Sequence, residues 1–268
     1  MKKYAILLTF VLVSAIFLVG CFKPPSIGDI IPKVGNNTPK ATDQKKDPVI
    51  GTTAVGETQY EAYLEAKAKF IERIIGAVSQ DPDAAYRVFG LMGLGMMDML
   101  MWPAALLWQD EAAAKMTMAF FGANNAKFDR KGDKMTLTFQ SDTGEPLSYT
   151  GEYLKDRGGY IFTANMAGGD QFYSEYNETS YGYVALFHQT GQGSGDSLIL
   201  MTFDKEGNGV VGLSEDVSKP APLTGREPFD YPTSASEWYR IEGNHLTGVS
   251  EDGTALDSTY TPSQDNSD

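Results

Sequence analysis

From Thr58 onward the apolar residues recur at helical spacing. Tyr60, Leu64, Lys67, Ile71, Ile74 and Val78 lie three or four positions apart, with Lys67 contributing its aliphatic stem. Thr58 and Glu61 fit a capping box at the start, so the pattern predicts one amphipathic helix. Asp81-Pro82 supplies a second start, a cap followed by a first-turn proline. That helix runs towards Met101 until Trp102-Pro103 breaks or kinks it, and a third follows, with Glu111 and Lys115 one turn apart and Gly122 as its stop.

Past Gly122 the period changes to two. Met135, Leu137 and Phe139 alternate with Lys134, Thr136 and Thr138, the signature of a half-buried strand. Further strands are predicted at Leu147–Leu154, Tyr160–Asn165, Gln171–Tyr176, Tyr181–His188, Leu198–Phe203, Val210–Leu213 and Trp238–Glu242. Gly-rich segments such as Lys131-Gly132-Asp133, Gly158-Gly159 and Gly207-Asn208-Gly209 punctuate them as turns. The strand around Tyr183 and Phe187 carries Val184 and Leu186 on its other side, which predicts burial on both faces, by helices on one and a barrel interior on the other. The fold class expected is therefore α+β, a single domain over residues 57–250. About three helices (57–122) pack on a curved antiparallel β-meander or partly closed barrel (123–250). Prolines dominate Asp216 to Ser236, and residues 251–268 read as an acidic disordered tail.

The start of the chain has a different pattern. Lys2 and Lys3 precede an apolar run from Tyr4 to Val19, closed by Gly20 and Cys21. The run is short for a membrane span, which needs about 20 apolar residues, and no stop-transfer cluster follows. Leu18-Val19-Gly20-Cys21 resembles the lipobox of bacterial lipoproteins. That resemblance covers residues 1–21 and implies a signal peptide over 1–20, cleavage between Gly20 and Cys21, and a diacylglycerol on the Cys21 thiol. The amine of the new first residue is often acylated as well. Cys21 is the only cysteine, so an exported body would hold together without disulfides. Each buried methylene adds about 0.8 kcal/mol, which makes two or three chains a lasting anchor. Phe22 stands where aspartate would retain such a protein at the inner membrane. The resemblance therefore places it at the outer membrane of a two-membrane cell, and otherwise on the outer face of the cell membrane.

Residues 21–56, rich in Pro, Lys, Asn, Thr and Gly, read as the lipidated cysteine and a disordered tether reaching about 30 to 35 Å. The chain carries a formal charge of minus 13. Loss of Lys2 and Lys3 leaves minus 15; the tether, with five Lys and three Asp, supplies plus 2 and the body minus 17. A basic stalk beside anionic lipid and an acidic body argue against nucleic acid as a partner.

Val88 to Trp108 is almost continuously apolar and rich in methionine. As a second membrane span it is disfavoured by Asp98 near its middle and by Pro103. As a Cu(I) site it offers Met92/Met96 and Met97/Met101, each pair one turn apart, although methionine stripes usually form core. Packing is favoured, with Met92, Met96, Met97 and Met101 lining an adaptable pocket for an apolar ligand. Asp204 to Glu215 resembles an EF-hand calcium loop, with Asp204, Glu206, Asn208 and Glu215 as calcium ligands. It departs from that pattern in Glu206, a long acid at the third place, and in the strand-like segment before it. A plain turn explains the same residues.

His188 and His245 are the only histidines and belong to no metal-spaced pair, and Ser194 is not at the centre of a nucleophile elbow. No catalytic residue is assigned. Tyrosines between Tyr149 and Tyr183 would form a sugar-stacking or partner-binding surface if exposed and core if not. The leading expectation is a lipid-anchored, non-catalytic binding or envelope-assembly module, its partners membrane lipid and an envelope protein. The alternatives are a carrier of a lipid or other apolar ligand, and an envelope-polymer hydrolase using a carboxylate pair.

Overall fold

The computed structural model describes residues 50–81, 91, 94, 97, 106, 111–120, 124–140, 144–191 and 196–261. A long helix, α1 (Ile50–Gln80), and a shorter one, α2 (Glu111–Phe120), precede the strands. These are β1 (Asn124–Lys131), β2 (Lys134–Gln140), β3 (Pro146–Leu154), β4 (Gly159–Asn165), β5 (Gln171–Glu178) and β6 (Tyr183–Thr190). They continue through β7 (Ser197–Phe203), β8 (Gly209–Glu215), β9 (Glu237–Glu242), β10 (His245–Val249) and β11 (Ala255–Thr259). All lie in one sheet in strict chain order, each pair antiparallel, and the sheet stays open instead of closing into a barrel. The expected α+β meander is thus present. Much of the second predicted helix lies outside the described residues. Among the described residues no helix is long and apolar enough to cross a membrane.

Helix α1 begins at Ile50, seven residues before the body was expected to start. Gly51 and Gly56 are poor helix formers, and tertiary contact overrides propensity here: Gly56 is buried and its carbonyl accepts from the Tyr160 hydroxyl. The buried stripe is Tyr60, Tyr63, Lys67, Phe70, Ile74 and Ala77, while the predicted Leu64 and Ile71 are only half-buried. Both series satisfy a 3.6-residue period. The aromatic one faces the sheet, because Phe70 stacks on Phe203 with centroids 5.5 Å apart and Tyr63 meets Tyr176 and Tyr183. Leu91, Leu94 and Met97, three positions apart, are buried too, as are Leu106, Ala114 and Met118.

Pairing registers sort the sheet into two faces. Tyr160, Tyr176, Ala185, Met201, Val211 and Tyr239 lie opposite one another across successive strands and face α1. Tyr173, Val184, Leu186 and Leu200 face the other way and pack with Leu223. Strand β6 is therefore buried on both sides as expected, but its second cover is the proline-rich segment 216–236, not a barrel interior.

Three strands escaped the periodicity reading. β1 carries few apolar residues, and β10 and β11 extend past the last predicted strand. The segment after Glu251, expected to be disordered, holds β11 with Leu256 buried. The Gln80 side chain ties α1 to its end, donating to the Thr261 carbonyl at 2.8 Å and accepting from the Thr261 N–H at 3.0 Å.

Candidate functional site

Where α1 crosses the sheet, aromatic rings from both layers meet. Tyr63 lies flat on Tyr176, centroids 3.7 Å apart and planes 6° from parallel. Tyr60 stands 5.5 Å from Tyr160 and 5.8 Å from Phe162. Between these rings and Met97, Phe187 and Met201 is a crevice of about 10 Å³, room for about one water. Lys67 lines it and is only 3% exposed, so the ammonium goes into the interface together with the stem. Burial pushes the Tyr160 and Tyr176 phenols up, Tyr176 well above its ordinary 10.0, and the neighbouring Tyr60 reinforces both. Such a wall offers ring faces, one ammonium and the Ser174 hydroxyl, in a space that holds no more than solvent.

Met97 is the one member of the predicted methionine set that the described residues include, and it lines this crevice. Met92, Met96 and Met101 lie outside them, as do Gly20 and Cys21. Of the tyrosines expected either at the surface or in the core, Tyr149, Tyr153, Tyr160, Tyr173, Tyr176 and Tyr183 are buried and Tyr181 is half-buried.

The calcium-like segment is the turn between β7 and β8. Asp204 Oδ1 accepts from the Glu206 and Asn208 N–H groups at 3.0 and 2.8 Å, and Oδ2 from Asn208 Nδ2 at 2.7 Å. Asn208 Oδ1 in turn accepts from Arg73 Nη1 and the Gly243 N–H, both at 3.0 Å. Arg73 Nη1 also reaches the Glu206 carbonyl at 3.0 Å. The Asp204 and Asn208 side-chain oxygens expected to face a cation thus face protein donors, one of them a guanidinium. Glu215 sits at the far end of β8, so the structure does not bring Asp204, Glu206, Asn208 and Glu215 together. Among the described residues no group of three or more His, Cys, Asp or Glu is placed to hold a metal ion.

The other sheet face holds what the sequence did not single out. Segment 216–236 runs across it as a strap, with Leu223 buried among Tyr173, Val184, Leu186 and Leu200. The buried His188 donates from Nε2 to the Val217 carbonyl at 2.9 Å. Arg157, from the short turn after β3, donates to the Leu223 carbonyl, and Thr202 on β7 to that of Phe229. Tyr181 donates to the Glu227 carbonyl at 3.1 Å, its phenol pushed up to about 12 by burial. Beneath the strap lies the fully buried Glu175, whose Oε2 accepts from the Tyr173 hydroxyl at 2.7 Å while Oε1 stands 3.9 Å from Arg157 Nη1. His245 is exposed at the sheet's other end, 2.6 Å from Asp257. The proline density of the segment was visible in the sequence. Its donors, spread from Arg157 to Thr202, were not. Compared with known proteins, the chain matches no family model, no curated protein and no solved structure.

Proposed function

We propose that the chain is a lipid-anchored protein of the bacterial cell envelope whose folded body is a non-catalytic binding or assembly module. The anchor half rests on Lys2-Lys3, the apolar run and the lipobox-like Leu18–Cys21, with Cys21 as the acylated residue. The observation that carries the binding half is the strap. Neighbouring antiparallel strands are joined by about two to five residues, yet 21 residues (216–236) separate the paired strands β8 and β9. Long ordered connections of this kind serve recognition more often than folding.

Two measurements test the two halves. Cells fed an alkyne-tagged palmitate should label the wild-type chain and not Cys21→Ser; a wild type that stays unlabelled sinks the anchor. Native mass spectrometry of exported residues 50–268, purified gently, should show a partner or ligand mass that vanishes on denaturation. A bare mass counts against a module that holds its target tightly. A carrier of an apolar molecule is the second reading, favoured by Met97 beside Tyr60 and Tyr63 in the crevice. It requires the crevice to widen from room for about one water, and a lipid-sized adduct lost on Met97→Asp would support it.

A further inference from the structure

We infer that residues 217–230 of the strap are a lid that lifts from the sheet as one unit, hinged at Asp216 and at the helical turn that follows it, while the strands beneath stay paired. This rests on the reading of the strap as the body's recognition element and adds how the face under it is opened. The lid is fastened without a ladder. Among the described residues no main-chain hydrogen bond joins 217–230 to a strand. Side chains hold it instead. His188, Arg157, Tyr181 and Thr202 donate to its carbonyls, Lys219 Nζ lies 3.3 Å above the centre of the Tyr173 ring, and Leu223 is its one buried apolar residue. A segment with so few buried apolar contacts and no ladder opens at lower cost than the paired strands it covers.

The closed lid also leaves polar atoms unmet. Glu175 Oε1 and both amide atoms of Asn177, two fully buried residues of β5, have no hydrogen-bond partner, nor has Glu227 Oε2 on the lid itself. Asn177 lies against the bend at Gly225 (φ 74°), where a Cβ would stand 3.5 Å from its own. A buried polar atom left unpaired costs stability that water restores on reaching it, so closure is weakened where the lid bends. The two ends confine the movement. Asp216 holds a left-handed backbone (φ 54°), uncommon for a residue other than glycine, and its N–H donates to the Asp196 carbonyl at 2.7 Å. At the other end the turn Tyr231–Ser234 is clamped on β8. A Cβ on Gly212 would stand 2.2 Å from the Pro232 carbonyl oxygen, and Ser236 Oγ donates to the Leu213 carbonyl at 3.2 Å. Lifting the segment between these ends uncovers a phenol, a carboxylate and an amide on one face of β5, those of Tyr173, Glu175 and Asn177.

The test is thiol labelling of single cysteines in the full chain in mild detergent, with Cys21→Ser removing the only native thiol. Val184→Cys reports from beneath the lid, and Val211→Cys from the equally buried face against α1. Val184→Cys should react with a chromogenic disulfide at least about ten-fold faster than Val211→Cys, at a rate that low urea leaves unchanged, because local opening exposes it. Leu200→Cys, on the same face, answers the question should Val184→Cys not fold. Adding Asn177→Leu, checked for fold by circular dichroism, should slow the labelling about ten-fold, since closure then leaves fewer polar atoms unmet. If that chain does not fold, Thr202→Val, which removes one donor to the lid, should instead speed labelling at least about three-fold. Equal rates at the two cysteines, or labelling that these substitutions leave unchanged, overturns the lid. The rates are read without any ligand, so failure here leaves a partner mass in the native spectrum standing, and a bare native mass leaves the lid standing.

Discussion

Lys67 shows how a single residue separates a periodicity from a packing. Its position in the series predicted an aliphatic contact with the charge left in water, yet it is as buried as Tyr63 one turn before it. The surrounding phenols make a pH prediction. Burial raises Tyr160, Tyr176 and Tyr183 above the ordinary 10.0, so the fold keeps their protons after the unfolded chain has lost its own. The folded state then binds more protons, and stability that is complete below about pH 10 falls as pH rises beyond it. The urea midpoint should hold steady up to about pH 9 and drop above about pH 10, with phenolate absorbance rising together with loss of circular dichroism. Core phenols ionising at their ordinary value in an intact fold would show that water reaches the rings. Gly209 makes a second prediction. A Cβ there would stand 2.5 Å from the Thr202 carbonyl oxygen and 2.7 Å from the Phe70 ring. Gly209→Ala should therefore cost about 1 to 3 kcal/mol by overpacking. Phe70→Leu in the same chain should recover only part of the urea midpoint, since the carbonyl contact remains.

At the scale of elements, the turn between β7 and β8 is fastened from outside its own hairpin. Arg73 of α1 reaches Glu206 and Asn208 in that turn, Gly243 in the turn between β9 and β10, and the Tyr260 hydroxyl at 3.4 Å. Charge-assisted bonds of this kind are worth about 1.5 to 3 kcal/mol, so Arg73→Ala should lower stability by about 2 kcal/mol in chemical denaturation. Because donors already occupy the Asp204 and Asn208 oxygens, the loss should be the same with calcium as with a chelator. A wild-type midpoint that rises with calcium would restore the loop as a metal site. Strand legibility followed burial. Lys134–Phe139 alternates because one of its faces is core, whereas β1 has only Ala126 and Phe128 as apolar members and β11 only Ala255 and Leu256. Border strands take their order from a neighbour's hydrogen bonds and not from their own side chains. The helical face slipped for a related reason: Leu64/Ile71 and Tyr63/Phe70 are equally periodic, and only the rings waiting on β5 and β7 decide between them. The crevice was half legible: Met97 and Tyr60 were named, Tyr176 was left undecided between surface and core, and Tyr63 was not singled out. The strap's role was not, because hydrogen bonds to carbonyls have no residue signature.

For the whole molecule, the last strand matters because the sheet is open. Without barrel closure, order at the border depends on what ties it down, and three bonds to α1 do so beyond β11 itself: Arg73 to the Tyr260 hydroxyl and the reciprocal pair between Gln80 and Thr261. These link the end of α1 to the end of the sheet across more than 180 residues of sequence. Acidic composition alone would have removed the segment from the fold; the side-chain bonds from α1 and the seat of Leu256 and Tyr260 return it. A chain ending at Ser250 loses the β10–β11 ladder, two buried apolar side chains and all three ties. The expected cost is on the order of 3 to 5 kcal/mol. It also leaves β10 (His245–Val249) with a bare edge, and an unpaired edge is a template for a second copy. Light scattering on the truncated body should therefore show self-association that grows with concentration, together with a lowered thermal midpoint. Gln80→Ala in the full chain should lower the midpoint without self-association, since it loosens the border and leaves it paired. A truncated chain that matches the full one in both mass and midpoint would mean that α1 and ten strands suffice, with β11 adding nothing to the fold.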